Sequence, residues 1–464
     1  MAFPMSDELR NYDVFPKVLV KDKPTTVHIR PLGGRKQFEP GKEYTCVICP
    51  LELGKDTDFP ASTGFDKFKV TCNDEGGFDI PYTFKYEMMH FIRFRNDEDK
   101  KIDQFRVYCV DKDLAGRYPF NGDLHIHTTR SDGRQDPEVV CANYRRHGYD
   151  FMVVSDHRRY YPSLDAINFY KDIKTGLTIV PGEEVHMPSV DGNKPDFHIV
   201  NFGGEYSINA LTDGDHIKEV GEDKSRRSIN GECPEYMPLE KWEQKMRDLA
   251  KDIKVPEGVN PVQAAICKWI FDEIRKANGL GIFPHPTWIN DVYHVPEVFD
   301  DYITENKFFD AFEVFGGENY YEQNGFQLQK YYNDKAKGIK YPVVGSTDSH
   351  SSYPSNRNAY ICSTIIFSPE NERTALIKSV KDFWSVAVDT IDENYRLAGD
   401  VRLVRYASFL LNSYFPIHNE LCFEEGRLMK QYAKGTPAEK EEAKAVLDII
   451  GLRHNKLREK YFDF

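Results

Sequence analysis

Asp123-Leu124-His125-Ile126-His127-Thr128-Thr129-Arg130-Ser131-Asp132-Gly133 opens with a polar–apolar alternation, as a short strand does. A period of two sets His125 and His127 side by side on one face. Two neutral imidazoles so placed are a ready pair of ligands for a borderline transition metal. Ser131-Asp132-Gly133 then has turn composition and can aim Asp132 back toward the same mouth. A His-x-His pair alone is equally well a pair of half-buried strand histidines, so the surrounding chain decides between the two.

From about residue 116 strand-like and helix-like segments alternate. Helix Pro137–Arg146, with Asp136 at its N-cap, follows the first strand, and the apolar run 151–155 is the second. A helical stretch near 163–173 leads to strand 177–180, and 197–202 is a further strand. Helices over 262–278, 295–306 and 320–337 precede strands Leu280–Phe283, Ala311–Phe315 and 341–345. Strand followed by helix, so often repeated, points to a parallel sheet, most economically closed into a barrel.

The polar residues fall in a pattern on these strands. Ser155-Asp156-His157 ends the second, Pro181-Gly182-Glu183-Glu184 follows the third, and His198 sits in the fourth. Pro284-His285-Pro286 ends the fifth and Ser346-Thr347-Asp348-Ser349-His350 the seventh. Six of the fourteen histidines thus occupy strand ends, the rim where barrel sites are built, whereas packing histidines would show no such bias. A carboxylate and imidazole set without cysteine suits zinc, manganese or iron. Nine candidate ligands, His125, His127, Asp132, His157, Glu184, His198, His285, Asp348 and His350, are too many for one ion and fit two or three divalent ions. Such ions lower the pKa of a bound water and clamp phosphoryl oxygens, which fits a small anionic ester substrate.

The flanks read differently. Residues 1–115 are short β-like runs, at 26–31, 42–53, 68–72, 82–86, 90–95 and 104–111, with turn signals between them, which suggests an all-β, sandwich-like module. Cys46 and Cys49 have CxxC spacing, but three residues apart on a strand they face opposite sides, so core packing is the reading there. Residues 203–260, charged and turn-rich, look like an insertion and a candidate lid over the site. From about 391 to 464 helical patterns dominate, a C-terminal extension that would pack on the barrel or on another copy in a homo-oligomer. Residues 116–390 would be the barrel itself.

The chain has 464 residues, and its net charge of −13 disfavours a nucleic-acid surface, which needs a basic face. No apolar run is long enough to span a bilayer. The start lacks a charged segment followed by an apolar core, and nine scattered cysteines fit reduced thiols, so the expected location is the cytoplasm.

The ordered motifs His125-Ile-His127-Thr-x-x-Ser-Asp132-Gly, Ser-Asp156-His157, Gly182-x-Glu184, His198, Pro-His285-Pro and Gly-Ser-x-Asp348-x-His350 resemble those of the PHP (polymerase and histidinol phosphatase) superfamily over roughly residues 120–365. The Asn-Gly-Asp-Leu-His-x-His opening also resembles its carbaryl-hydrolase-like subgroup. The resemblance implies an α/β fold, a distorted (β/α)7 TIM-like barrel, with a trinuclear metal centre. One ion would take His125, His127, Glu184 and Asp348, and a second would share Glu184 and take His198 and His285. The third would take Asp132, His157 and His350. Which of the adjacent Glu183 and Glu184 bridges rests on motif alignment.

Four further residues are candidates for catalysis. Arg158, next to a ligand, could hold a substrate phosphate, with Asp156 assisting. Glu313 ends a strand at the same rim and could orient a ligand, and His186 lies two residues beyond Glu184. The expected activity is hydrolysis of a small phosphomonoester or nucleotide by a metal-activated water. A nuclease or phosphodiesterase using a basic lid around Arg226 and Arg227, a carboxylic or carbamic ester hydrolase, and a non-catalytic metal-binding barrel are the alternatives. His28, His90, His147, His216, His294, His418 and His454 are read as structural.

Overall fold

The computed structural model describes residues 6–33, 38–53, 65–195, 197–212, 228–230, 234, 237–317, 321–353, 359–390, 395–451 and 453–464. The chain divides into two units, Met1–Tyr118 with Arg402–Leu421 and Leu452–Phe464, and Pro119–Val401 with Cys422–Gly451. The fold is mixed α/β.

In the first unit, strands β1 (Tyr12–Phe15), β3 (Pro24–Pro31) and β6 (Phe78–Thr83) form an antiparallel sheet in the order β1-β3-β6. Strands β2 (Val18–Val20), β4 (Glu43–Pro50), β5 (Asp66–Thr71), β7 (Met88–Arg95) and β8 (Lys101–Val110) form a second, ordered β2-β8-β7-β4-β5. Residues of β7 alternate between buried and half-buried, as a strand with one face on the core requires. Val27, Ile29 and Phe78 from one sheet share a single core with Ile48, Ile92, Phe94 and Phe105 from the other. Cys46 lies in that core, where burial pushes its thiol up to about 12, and Cys49 is buried as well. The described cysteines are all buried. Within the same unit, helix Val401–Ser413 anchors through Arg402 on Glu87 and Asp113 and stacks Tyr406 at 5.0 Å from Tyr108.

The second unit holds β9 (Tyr118–Asp123), β10 (Phe151–Val153), β11 (Thr178–Val180), β12 (Gly182–Val185), β13 (Ile199–Phe202), β14 (Leu280–Phe283), a hairpin of β15 (Ile289–Asn290) and β16 (Val292–Tyr293), β17 (Ala311–Phe315), β18 (Val343–Gly345), β19 (Cys362–Ser368), β20 (Ser385–Asp389) and β21 (Arg396–Gly399). Its sheets run β11-β10-β9-β19-β20-β21 and β12-β13-β14-β17-β18. Helices Pro137–Arg146, Tyr161–Tyr170, Pro261–Lys276, Glu297–Glu305 and Tyr321–Ala336 alternate with the strands, which is the expected rhythm.

The sheets are not uniformly parallel, as the strand–helix rhythm suggests they should be. β9, β10 and β11 are parallel, as are β14, β17 and β18, but β12-β13-β14 and β19-β20-β21 pair antiparallel. Among its described residues the connection from Val185 to Ile199 contains no helix, so the chain returns at the end it left and β13 runs backward. His198 therefore stands at the start of a strand, on the rim where β12 ends. Two isolated parallel bridges continue the strands at this rim, Ile126 with Ser349 and His157 with Glu184.

Three other expectations are revised. The opening strand ends at Asp123, and Leu124 to Thr128 follow it as buried irregular chain. The part of 203–260 that is described includes helix Leu239–Asp252, whose Trp242 and Met246 join the apolar core, with Trp242 against Trp269 at 5.8 Å. The helical segment beyond 391 begins with a strand, because β21 satisfies the edge of β20 that would otherwise be unpaired. Among the described residues no helix is long and apolar enough to cross a membrane.

Candidate metal centre

The buried carboxylate of Asp123 closes β9 by accepting the His125 N–H at 3.1 Å, the Thr347 N–H at 3.1 Å and the Thr347 hydroxyl at 2.6 Å. It ties the first strand end to the chain beyond β18. Burial pushes Asp123 up to about 7, against the pull of those hydrogen bonds. His125 and His127 follow with ring centroids 5.1 Å apart, both buried.

The next turn is organised by Asp156. Its carboxylate accepts the Thr128 N–H at 2.8 Å, the Thr128 hydroxyl at 2.6 Å and the Ser131 hydroxyl at 2.6 Å. The Gly133 N–H closes the turn on the Thr128 carbonyl at 2.8 Å, and a Cβ there would sit 2.7 Å from the His127 carbonyl, so only glycine fits. Asp132 is thereby aimed inward, 3.5 Å from His157 Nε2 and 3.3 Å from His350 Nε2.

Glu184 is the hub. Its oxygens lie 2.5 Å from His157 Nδ1, 2.6 Å from His198 Nδ1, 3.6 Å from His125 Nε2, 3.5 Å from His127 Nε2 and 3.7 Å from His285 Nε2. Glu183 points the other way and accepts hydrogen bonds from Ser207, Ile208 and Asn209. Asp348 faces Glu184 across the cluster, with Oδ1 2.9 Å from His127 Nε2 and 3.3 Å from His125 Nε2. His285 Nε2 is 3.8 Å from its Oδ2. The structure brings all nine candidate ligands together. Arg158, His285 and Asp348 hold left-handed φ values of 59°, 31° and 47°, strain that a non-glycine residue keeps only where its surroundings impose it.

The electrostatics follow from burial and crowding. Burial opposes the charge of Glu184, but the imidazoles of His198, His157 and His125 outweigh it and hold the carboxyl well below its usual range. Asp348 is lowered in the same way, burial being overcome by His125 and His127. Burial pulls His157 down, yet Glu184 and Asp132 raise it to about 10, and Asp132 likewise brings His350 to about 9. Burial carries His127 to about 4 and His186 to about 3.

The donor set is rich in unsatisfied buried atoms. Both oxygens of Glu184, Oδ1 of Asp348, Nε2 of His125 and both ring nitrogens of His127 and of His285 are buried without a hydrogen bond. Each orphan costs about 1–3 kcal/mol, so a concentration of them at one place needs a compensating cation. Ligand atoms lie within 4.8 Å of one another in the groups His125-His127-Glu184, His125-His285-Asp348 and His127-Asp132-His157-His350. The residues present fit divalent ions.

The other candidates fall around this centre. Glu313, at the end of β17, lies 3.4 Å from His125 Nδ1 and accepts the Ser346 hydroxyl at 2.6 Å, so it orients His125. His186 Nε2 sits 2.9 Å from His157 Nδ1 and 3.4 Å from Glu184, within the cluster. The Arg158 N–H donates to the Glu184 carbonyl at 2.9 Å. Asp156 holds the 128–131 turn and does not enter the ligand cluster. Arg226, Arg227 and His216 lie outside the described residues. His28 pairs with Asp79, and His90 is buried and lowered to about 4 by that burial.

One histidine read as structural belongs at the site. His294 offers a ring nitrogen within 4.8 Å of those of His198 and His285, with ring centroids 4.3 and 5.5 Å away. The signal was the Asn290-Asp291 turn between two short apolar–aromatic pairs, which folds the chain back on His285.

No protein-family model matches the sequence, and no curated protein matches it. Among solved structures the chain is similar to a two-domain protein containing a predicted PHP-like metal-dependent phosphoesterase from Bacteroides vulgatus, at 14% identity over 64% of this chain and 71% of that one, with a TM-score of 0.41. It is also similar to an amidohydrolase from Chromobacterium violaceum with bound sulfate and no metal, at 14% identity over 50% of this chain and 87% of that one, with a TM-score of 0.30.

Proposed function

We propose that this chain is a metal-dependent hydrolase of phosphoric esters, acting on a small phosphomonoester or nucleotide with two or three divalent ions of zinc, manganese or iron. The observation that carries the reading is the buried Glu184 carboxylate, ringed by His125, His127, His157, His198 and His285 with both its oxygens free of hydrogen bonds. His125, His127, Glu184 and Asp348 would hold one ion, Glu184, His198 and His285 a second, and Asp132, His157 and His350 a third. The motif resemblance to the PHP superfamily, and within it to the carbaryl-hydrolase-like subgroup, supports the same assignment. The strand pairings and the two rim bridges, which link β10 with β12 and the segments beyond β9 and β18, support reading the two sheets as a distorted (β/α)7 ring.

Divalent ions in such a set lower the pKa of a bound water and stabilise charge on a transferring phosphoryl group. The protein's part is to place and tune. Glu313 accepts from His125 Nδ1 and so leaves Nε2 as the ligand atom. Asp123 and Asp156 lock the two chain segments that carry His125 and Asp132. Arg158 is the candidate for pairing with a phosphate oxygen, and His186, beside Glu184 and His157, for holding a proton at the rim.

The test is phosphate release from a panel of nucleotides and sugar phosphates by protein reconstituted with zinc, manganese or iron. His125→Ala and Asp348→Ala are expected to abolish release while the protein stays folded, and retained release would sink the assignment. Hydrolysis of carboxylic or carbamic esters with no phosphate release would overturn the substrate class.

A further inference from the structure

We propose that His294 is a third imidazole ligand of the ion assigned to His198 and His285, and that this subsite favours zinc. The inference rests on the metal-hydrolase reading of the same site and adds to it a residue outside the ordered motifs.

Three independent features place His294 there. Ligand nitrogens of His198, His285 and His294 lie within 4.8 Å of one another. The backbone of residues 285–295 is a closed loop: Trp288 N–H donates to the His285 carbonyl at 3.1 Å, His294 N–H to the Trp288 carbonyl at 2.7 Å, and Val295 N–H to the Pro286 carbonyl at 3.0 Å. His285 and His294 therefore ride on one compact element and approach the ion together. Nδ1 of His294 is buried, and no polar atom among the described residues hydrogen-bonds to it.

Glu184 supplies the fourth donor, with Oε1 2.6 Å from His198 Nδ1 and 3.7 Å from His285 Nε2. Three nitrogens and one carboxylate oxygen make a four-donor set, the number and type that zinc favours. The set His125, His127, Glu184 and Asp348 has two carboxylates among its four donors and is richer in oxygen, which suits manganese better. Without His294 the second ion would have three protein ligands.

The experiment uses the full chain, stripped with chelator and titrated with Zn2+ and with Mn2+, the bound metal being counted by elemental analysis and the affinities measured by competition. Wild type, His294→Ala and His285→Ala are compared. His294→Ala is expected to lose one zinc, or to weaken one zinc site by more than about 100-fold, beyond the roughly 10–100-fold that removal of an outer partner costs. Its manganese sites should stay unchanged, and circular dichroism checks the fold. His294→Gln takes the place of the alanine variant if that one does not fold. A full zinc count in the His294 variant, with every Kd within about threefold of wild type while His285→Ala loses an ion, overturns the inference and leaves the metal-hydrolase reading standing. A wild type that binds no metal overturns both.

Discussion

Replacing Asp156 with alanine should unlatch the turn that carries Asp132. The carboxylate is wholly buried and accepts three hydrogen bonds of 2.6–2.8 Å, two from Thr128 and one from Ser131. Hydrogen bonds to a charged acceptor contribute about 1.5–3 kcal/mol each. Thr128 is itself buried, so its two donors would find no water in exchange. Relief from desolvating the carboxylate offsets part of the loss, which leaves about 3–4 kcal/mol, or between two and three decades in the local opening equilibrium. Asp156→Asn keeps one acceptor oxygen and loses the charge, and should fall between, at about 1–2 kcal/mol. Hydrogen exchange of the metal-free protein, read on peptides spanning residues 124–136, measures this opening without requiring the whole chain to unfold in one step. Protection in Asp156→Ala within about tenfold of wild type would refute the assignment of Asp156 to this turn.

Glu313→Gln should leave the protein folded and weaken metal binding by roughly 10–100-fold, since the amide no longer orients His125, and unchanged affinity by metal titration would count against it. Gly317→Ala puts a Cβ 1.6 Å from the Thr347 carbonyl oxygen, beside the Thr347–Asp123 latch, and should destabilise the fold as an overpacked core does, by about 1–3 kcal/mol or more, read as a lower thermal midpoint. His157 and His350 are raised from 6.5 to about 10 and about 9 in the metal-free protein, so protonation stabilises the fold fully below pH 6.5 and that support is lost as pH rises through those values. The thermal midpoint in chelator should therefore fall from about pH 6.5 to about 10, less steeply in His350→Ala, and a midpoint rising over that span would contradict the pairing with Glu184 and Asp132.

The site was legible because its ligand types stand at the ends of apolar runs. The run that begins with Phe151–Val153 finishes in Ser-Asp-His, where Asp156 latches the 128–131 turn and His157 joins the cluster. Other features depend on contacts far along the chain. The reversal of β13 leaves no mark on periodicity, since a strand reads the same in either direction. Adjacent residues on a strand face opposite sides whichever one points inward, so Glu183 and Glu184 are separated only by the donors at Ser207 to Asn209 that capture Glu183. Asp136 stands at the expected N-cap position but makes no cap hydrogen bond; its carboxylate takes the Thr129 hydroxyl and Lys434 instead, a partner 298 residues away. β19 and β20, buried along their length, end in no motif that would announce them.

The most direct test of the central claim is the metal content of purified wild-type protein and of Glu184→Gln, each reconstituted with zinc or manganese and desalted. Two or three ions per chain in the wild type, with at least one lost in Glu184→Gln at unchanged fold, is the predicted result. No metal in the wild type, or an equal count in the two proteins, would contradict it.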